Sequence, residues 1–260
     1  MARTQDRVHD VLVIGGGLVG ASLAIALDRI GVDVGLVEAT PAGALPEVFD
    51  QRSLTFADAS LNALTALGVM QALRAPVGDI RRIHVSRRGD FGQMLLRAED
   101  YGHARFGQVV VARDFGMALE AVLAEAQRVT RYRPARFVGT ADQADRPEEM
   151  RRIRIALPEG EIELQTRLLV GADGSDSAVR SALHIGQARH DYAQSLLVAR
   201  LRSAHAPDGT AFERFGDHGP IALLPRGDGH FGLVLGVAKA EADVIAAAGD
   251  AEFLQRAQDA

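Results

Sequence analysis

The sequence predicts an α/β fold in which a unit of parallel strands and helices is joined to a second, antiparallel sheet. Three observations predict it. Residues 10–38, DVLVIGGGLVGASLAIALDRIGVDVGLVE, read as strand, glycine turn, helix and strand. Residues 168–180, LLVGADGSDSAVR, repeat the order of strand, glycine turn and helix start. From residue 191 onward, short apolar runs separated by Gly-rich turns read as antiparallel strands.

Within the first stretch, Val11 to Ile14 form an apolar run short enough for a buried parallel strand. Gly15, Gly17 and Gly20 follow in G-x-G-x-x-G spacing, then an Ala- and Leu-rich helical pattern over 18–30 that Gly31 stops. A second strand over 34–37 ends on Glu38. The spacing has a physical reason. Gly15 permits the tight turn, Gly17 lets a pyrophosphate approach the backbone, and Gly20 lets helix and strand pack closely. The pyrophosphate sits on free N–H groups at a helix N-terminus, where the dipole also favours an anion. An acidic residue at the position of Glu38, about 20 residues on, accepts hydrogen bonds from a ribose diol. The stretch is therefore Rossmann-like and dinucleotide-binding, and the motif itself leaves FAD and NAD open.

With 260 residues the chain has length for one large domain or two modest ones. It is 47% hydrophobic and 24% charged, the balance of an ordinary globular protein. A formal net charge of −5 gives no argument for a nucleic-acid partner. The absence of cysteine excludes disulfides, cysteine catalysis and thiolate metal sites, and no metal site is expected. Residues 1–10 are polar and charged, unlike a secretory signal, and no apolar run approaches the roughly 20 residues of a membrane span. The expected location is cytoplasmic, with peripheral contact to the inner membrane left open.

Taken in order, residues 39–50 read as a loop and are followed by Arg52. Asp58 then caps a helix over 59–67 that Gly68 stops. Arg52 is placed at the entrance of that helix, as a surface arginine or as a bidentate anion ligand. Residues 79–96 read as a small antiparallel insertion turning at Arg88-Gly89-Asp90, with His84 a structural histidine. After a strand over 109–111, Asp114 is the expected N-cap of a helix over 115–127, with Met117, Leu119, Val122 and Leu123 on its apolar face and Arg113 at its entrance. Arg131, Arg133 and Arg136 read as a solvated strand edge, and 142–149 as a polar loop.

A hairpin over 153–164 leads to a further buried strand, 168–170. Asp173, between Gly171 and Gly174, either caps the helix that follows or holds a ribose or ribityl hydroxyl. Strands are expected over 195–201, 211–215, 221–224 and 231–237, with turns over 216–220 and 226–229, and residues 238–260 have a helical pattern. That last segment shows no stop signal, so the chain is expected to be C-terminally truncated.

These features together resemble the flavin-dependent aromatic hydroxylases of the para-hydroxybenzoate hydroxylase type. Within them the chain resembles the ubiquinone-biosynthesis branch, the 2-polyprenyl-6-methoxyphenol hydroxylases. The glycine fingerprint with Glu38 carries the resemblance, and LLVGADGSDSAVR separates this family from nicotinamide dehydrogenases. HVSRRGDFG (84–92), DYAQSLLVA (191–199) and FERFGDHGPIALLP (212–225) are more specific to the branch.

The resemblance implies a Rossmann-like FAD-binding domain over 1–77 and 105–185, and an antiparallel-sheet substrate domain over 78–104 and 186–260. It implies that Gly15, Gly17, Gly20 and Glu38 hold the ADP half of FAD. Arg52 matches the family's arginine after the second strand, and Arg113 the one at the ribityl-pyrophosphate. Asp173 and Gly174 match a motif shared by FAD and the transient nicotinamide, closed by Arg180. Residues 219–225 fall near the ring pocket, and no catalytic acid or base is assigned. The implied activity is hydroxylation of a polyprenylated methoxyphenol in ubiquinone biosynthesis, using NAD(P)H and O2. The implied partners are that phenol and contacts with the membrane surface or the biosynthetic complex. The family's third flavin motif has no copy here, so the chain alone is expected to bind FAD weakly or to be inactive. A related hydroxylase with another substrate and a non-catalytic flavin-binding module are the alternatives.

Overall fold

The computed structural model describes residues 7–141, 150–217 and 219–259; the loop expected over 142–149 and His218 of the expected turn lie outside the described residues. In chain order the elements begin β1 (Arg7–Ile14), α1 (Leu18–Arg29), β2 (Val34–Val37), β3 (Ser53–Ala57), α2 (Asp58–Ala66) and α3 (Val69–Ala72). Next come β4 (Gly78–Ile80), β5 (Arg82–Arg87), β6 (Gln93–Arg97), β7 (Gly107–Val111), α4 (Ala112–Glu125) and β8 (Val129–Tyr132). They are followed by β9 (Arg136–Thr140), β10 (Arg151–Leu157), β11 (Gly160–Gly171), α5 (Ala178–Ala182) and β12 (Gln194–Leu201). The chain then forms β13 (Thr210–Gly216), β14 (Gly219–Pro225), β15 (Phe231–Ala238), α6 (Ala242–Ala246) and α7 (Asp250–Asp259). Among the described residues no helix is long and apolar enough to cross a membrane. The chain divides into two units, with breaks after Asp50, Ala63, Arg74, Ala112 and Ala188.

The first unit is built on a six-stranded sheet in the order β8-β2-β1-β11-β10-β9. Strands β8, β2, β1 and β11 are parallel, and β10 and β9 extend the sheet antiparallel. The apolar run of β1 is buried, with Leu12 and Val13 fully enclosed, as a central strand between layers requires. Ala21, Ala24 and Ile25 of α1 are buried at helical spacing, and Gly31 takes a positive φ of 82° where the helix stops. Strand β11 joins the hairpin to 168–170 without a break, so those residues are not a separate strand. Leu168 is 55% exposed and not buried.

Three local readings change here. Helix α4 starts at Ala112, so Arg113 lies inside it and Asp114 sits in its first turn, not at the N-cap. Phe115, Leu119 and Leu123 form its buried face, and Met117 points outward. The basic run is not a solvated edge throughout. Strand β8 is an edge, yet the Arg133 side chain is 6% exposed and ion-paired with Glu120. Strand β1 also carries a residue that the apolar pattern hides. His9 is buried, with Nδ1 2.5 Å from Asp33 Oδ1 and Nε2 2.8 Å from the Tyr132 hydroxyl. Burial pushes the Tyr132 phenol above its ordinary pKa.

The second unit holds a six-stranded sheet, β12-β15-β14-β13-β5-β6, and a three-stranded one, β3-β7-β4. Pairing in the larger sheet is antiparallel except between β13 and β5. The expected small insertion is thus part of the main sheet, with His84 opposite Phe212. Arg52 precedes strand β3 and not a helix; the short alternation Leu54, Phe56 is that strand's only sequence signal. Leu233, Leu235 and Val237 pack against Ala242 and Ile245 of α6, and the expected terminal helix is two helices, α6 and α7.

At the β14–β15 turn, Arg226 is 8% exposed. It donates to Asp228 Oδ2 from Nε (3.2 Å) and Nη2 (3.0 Å), and to Ser53 Oγ (3.2 Å). Arg200 pairs with the same carboxylate at 3.2 Å, and the His230 amide donates to it. Burial alone would raise the pKa of Asp228. The bonds and charge of Arg226, the His230 amide and the charge of Arg200 outweigh it and hold the carboxyl below its usual range. A depressed carboxyl stabilises the fold above its unfolded pKa, and this contribution is lost as pH falls through the folded value. Asp228→Asn leaves a buried guanidinium without its counter-charge and is expected to cost about 3 kcal/mol at neutral pH. Urea unfolding from pH 7 down to about 3 should show a shallower acid loss in the variant.

Candidate cofactor site

The glycine turn after β1 is fixed by contact distances. Gly15 has φ 102°, and a Cβ there would lie 2.4 Å from the Ala172 carbonyl oxygen. A Cβ on Gly20 would lie 1.8 Å from the Gly15 carbonyl oxygen. Both positions require glycine for the fold. Gly17 differs: the nearest atom to a Cβ there is Val48 Cγ1 at 3.6 Å, so the side-chain position faces open space. Gly17 is also the N-cap of α1 and supplies no side-chain cap. The first N–H groups of α1 therefore have no intrahelical partner, and Leu18 and Val19 border a cavity of about 640 Å³.

Glu38, just past β2, also lines this cavity. Its Oε2 accepts from the Gly16 amide and its Oε1 from the Thr40 amide, both at 2.7 Å. A Cβ on Gly16 would meet that carboxylate at 3.0 Å, so the middle glycine is spaced for Glu38. The Glu38 amide donates to the Tyr132 carbonyl (2.9 Å), and the Ala135 amide donates to the Glu38 carbonyl (2.8 Å). These two bonds bring Ala135, Arg136 and Phe137 to the cavity.

Asp173 enters from the end of β11. Its Oδ1 accepts from the Ser177 hydroxyl at 2.5 Å, and its Oδ2 from the Ala178 and Val179 amides at 2.7 and 3.2 Å. It therefore caps the first amides of α5 together with the N-cap residue Ser177, one of the two readings of its sequence position, and it borders the cavity as well. Gly174 has φ 85° and also lines the cavity. Arg180 donates to the Ser175 carbonyl at 2.7 Å and closes the turn on itself.

The cavity thus gathers Gly15, Gly17, Glu38, Asp173 and Gly174, with Gly20 packed behind the turn. Arg113 and Arg180 are not among its lining residues, and Arg52 belongs to the second unit. The sequence reading missed Pro46, Val48, Arg136 and Asp176, which line the cavity, and Gly16, whose amide holds Glu38. Only Gly16 had a local signal, the run of three glycines; the others arrive by folding.

Residues 8–240 match the model of the family described as FAD binding domain. Among curated proteins, the chain is 31% identical over 226 residues to the ubiquinone hydroxylase UbiL of Rhodospirillum rubrum, covering 85% of this chain and 50% of that one. It is 31% identical over 270 residues to the mitochondrial ubiquinone biosynthesis monooxygenase COQ6 of Rattus norvegicus, covering 96% and 55%. The chain spans about half the length of these relatives. Among solved structures it superposes on pqsL from Pseudomonas aeruginosa with a TM-score of 0.78 at 22% identity, covering 96% of this chain and 66% of that one. This last likeness is one of fold.

The two glycines separate folding from binding. Gly17→Ala is expected to change stability by about 0.5 kcal/mol or less and to abolish retention of flavin by filling the open space at the turn. Gly20→Ala is expected to cost about 3 kcal/mol, through overlap with Gly15. Chemical unfolding and the visible absorbance of bound flavin, measured on both variants, check this.

Proposed function

The chain belongs to the FAD binding domain family, and from that premise we propose that it is the flavin-holding part of a monooxygenase acting on a polyprenylated methoxyphenol in ubiquinone biosynthesis. The observation that carries the reading is the cavity at the end of β1, where uncapped helix N–H groups, an open Gly17 and the Glu38 carboxylate converge. The similarity to UbiL and COQ6 supports the choice of substrate class.

These residues fit the ADP half of FAD. The N–H groups at the start of α1 hold the pyrophosphate. Glu38, already oriented by the Gly16 and Thr40 amides, has lone pairs left to accept from ribose hydroxyls. Asp173, fixed as the cap of α5, presents a carboxylate at the cavity's other wall, where it orients a further hydroxyl. When bound, the flavin supplies the redox chemistry between NAD(P)H and O2. The overall change is ring C–H plus O2, NAD(P)H and a proton, giving ring C–OH, water and NAD(P)+. The protein's part is to position the cofactor and to keep water from it.

The prenyl chain requires apolar surface. The second unit offers a cavity of about 820 Å³ bordered by Leu201, Phe212, Ile221, Leu223, Leu233 and Leu254, which supports a substrate with an isoprenoid tail. Work at the membrane surface, where such phenols dissolve, accords with that assignment.

The test has two stages. FAD titration, followed by visible absorbance, of the purified chain and of a protein extended to the length of UbiL or COQ6 is expected to give a bound-flavin spectrum, with weaker binding by the chain alone; folded protein that binds no flavin at either length would sink the reading. In a protein extended to the length of UbiL or COQ6, a prenylated methoxyphenol is expected to stimulate NAD(P)H oxidation and to yield the hydroxylated ring. Stimulation by an unprenylated phenol alone points to a related hydroxylase, and bound flavin without turnover to a binding module.

A further inference from the structure

Residues 39–50 contribute Pro46 and Val48 to the wall of the cofactor cavity, yet they form no strand or α-helix. Helix α4 holds them. Positions 113, 116 and 120, spaced three and four apart, share one face of that helix. The Arg113 amide donates to the Asp50 carbonyl at 2.8 Å. At Gly116 a Cβ would lie 2.5 Å from Phe49 Cγ; the buried Phe49 ring takes the space of a side chain that the helix lacks. At Glu120, Oε1 accepts from Arg133 Nη1 at 2.8 Å, and Arg131 Nη2 reaches both carboxylate oxygens at 2.6 and 2.8 Å.

Arg133 then clamps the loop itself. Its Nε donates to the Thr40 carbonyl (3.0 Å), and its Nη2 to the carbonyls of Pro41 (2.9 Å) and Ala44 (2.7 Å). One guanidinium, seated on Glu120 and almost wholly enclosed, thus satisfies three loop carbonyls. With Glu120 that makes four acceptors, which a planar fork of five donors can reach and the three donors of an ammonium cannot. The amide of the same Thr40 donates to Glu38 Oε1, so the clamp also reaches the carboxylate assigned to the ribose.

We propose that Arg133, held by Glu120, is a positioning residue for the adenosine end of the cofactor. It fixes the loop that orients Glu38 and forms the Pro46–Val48 wall. The inference rests on the FAD reading of this cavity. Its loss would leave the loop to be ordered at the expense of binding.

The probes are ADP, which reports on this half of the site alone, and FAD. The proteins are the unaltered chain, Arg133→Met, Arg133→Lys and Glu120→Gln. Thermal unfolding and amide hydrogen exchange are measured without ligand. Arg133→Met is expected to weaken ADP and FAD by the same factor, about tenfold or more, and to speed exchange of the Thr40 amide. Arg133→Lys keeps a charge opposite Glu120 but not the fork. It should melt close to the unaltered chain and still bind ADP about as weakly as Arg133→Met. Glu120→Gln, whose amide oxygen still accepts from Arg133, should fall between. If lysine restores ADP affinity together with the melting temperature, or if Arg133→Met binds ADP normally, the positioning role is overturned. If the unaltered protein binds neither probe at either length, the cavity reading fails and takes this role with it; that result is seen before any variant is made.

Discussion

The contact between Gly20 and the Gly15 carbonyl is the constraint on which the rest of the first unit depends. It seats α1 against the end of β1 with no side chain between them. The seating has two consequences. It buries Ala21, Ala24 and Ile25 against the sheet, and it leaves the helix start uncapped beside an open cavity. A side chain at Gly17 that capped the helix would satisfy the same N–H groups and fill the site. Binding capacity is therefore obtained by withholding a cap that most helices have.

On the proposed reading an anionic cofactor would meet a cavity whose lining includes Glu38, Asp173 and Asp176 and, among the described residues, one cation, Arg136. The conflict is resolved by backbone dipoles. Glu38 is bonded to two amides and Asp173 to two amides and a hydroxyl, so these two carboxylates are compensated locally before a ligand arrives. On the proposed reading, the helix N-terminus remains to face the pyrophosphate. Charge here is distributed by which donors are already committed, and a list of residues does not reveal that.

This division also explains what was legible in the sequence. The βαβ unit could be read because each of its elements has a local cause: an apolar run, glycines at fixed spacing, a Gly stop. The β12–β15 strands could be read from their alternation and turns. Strand β3 and the true entrance of α4 could not, because five residues with two apolar positions are ambiguous until β7 pairs with them. The fate of the basic run was equally hidden. Arg131, Arg133 and Arg136 look alike in sequence, and only the placement of Glu120 and of the 40–44 carbonyls distinguishes Arg133, whose side chain is enclosed, from the exposed Arg136 that lines the cavity. His9 was invisible for the same reason, since its partners Asp33 and Tyr132 come from two other segments.

The choice of basic residue carries a structural argument of its own. Of the 29 Lys and Arg residues a single one, Lys239, is lysine. Counted as charge, the two are equivalent; as donors they are not. Arg29 donates to the Leu67 carbonyl, Arg180 to that of Ser175, and Arg133 to three carbonyls of one loop. In the second unit Arg226 ties the β14–β15 turn to Ser53 at the start of β3. Each joins irregular backbone to a fixed element, a task suited to a rigid fork with several donors. A chain without cysteine cannot staple such loops covalently. Arginine does it here with hydrogen bonds, and the loop beside the cofactor cavity acquires a fixed shape without being a strand or a helix.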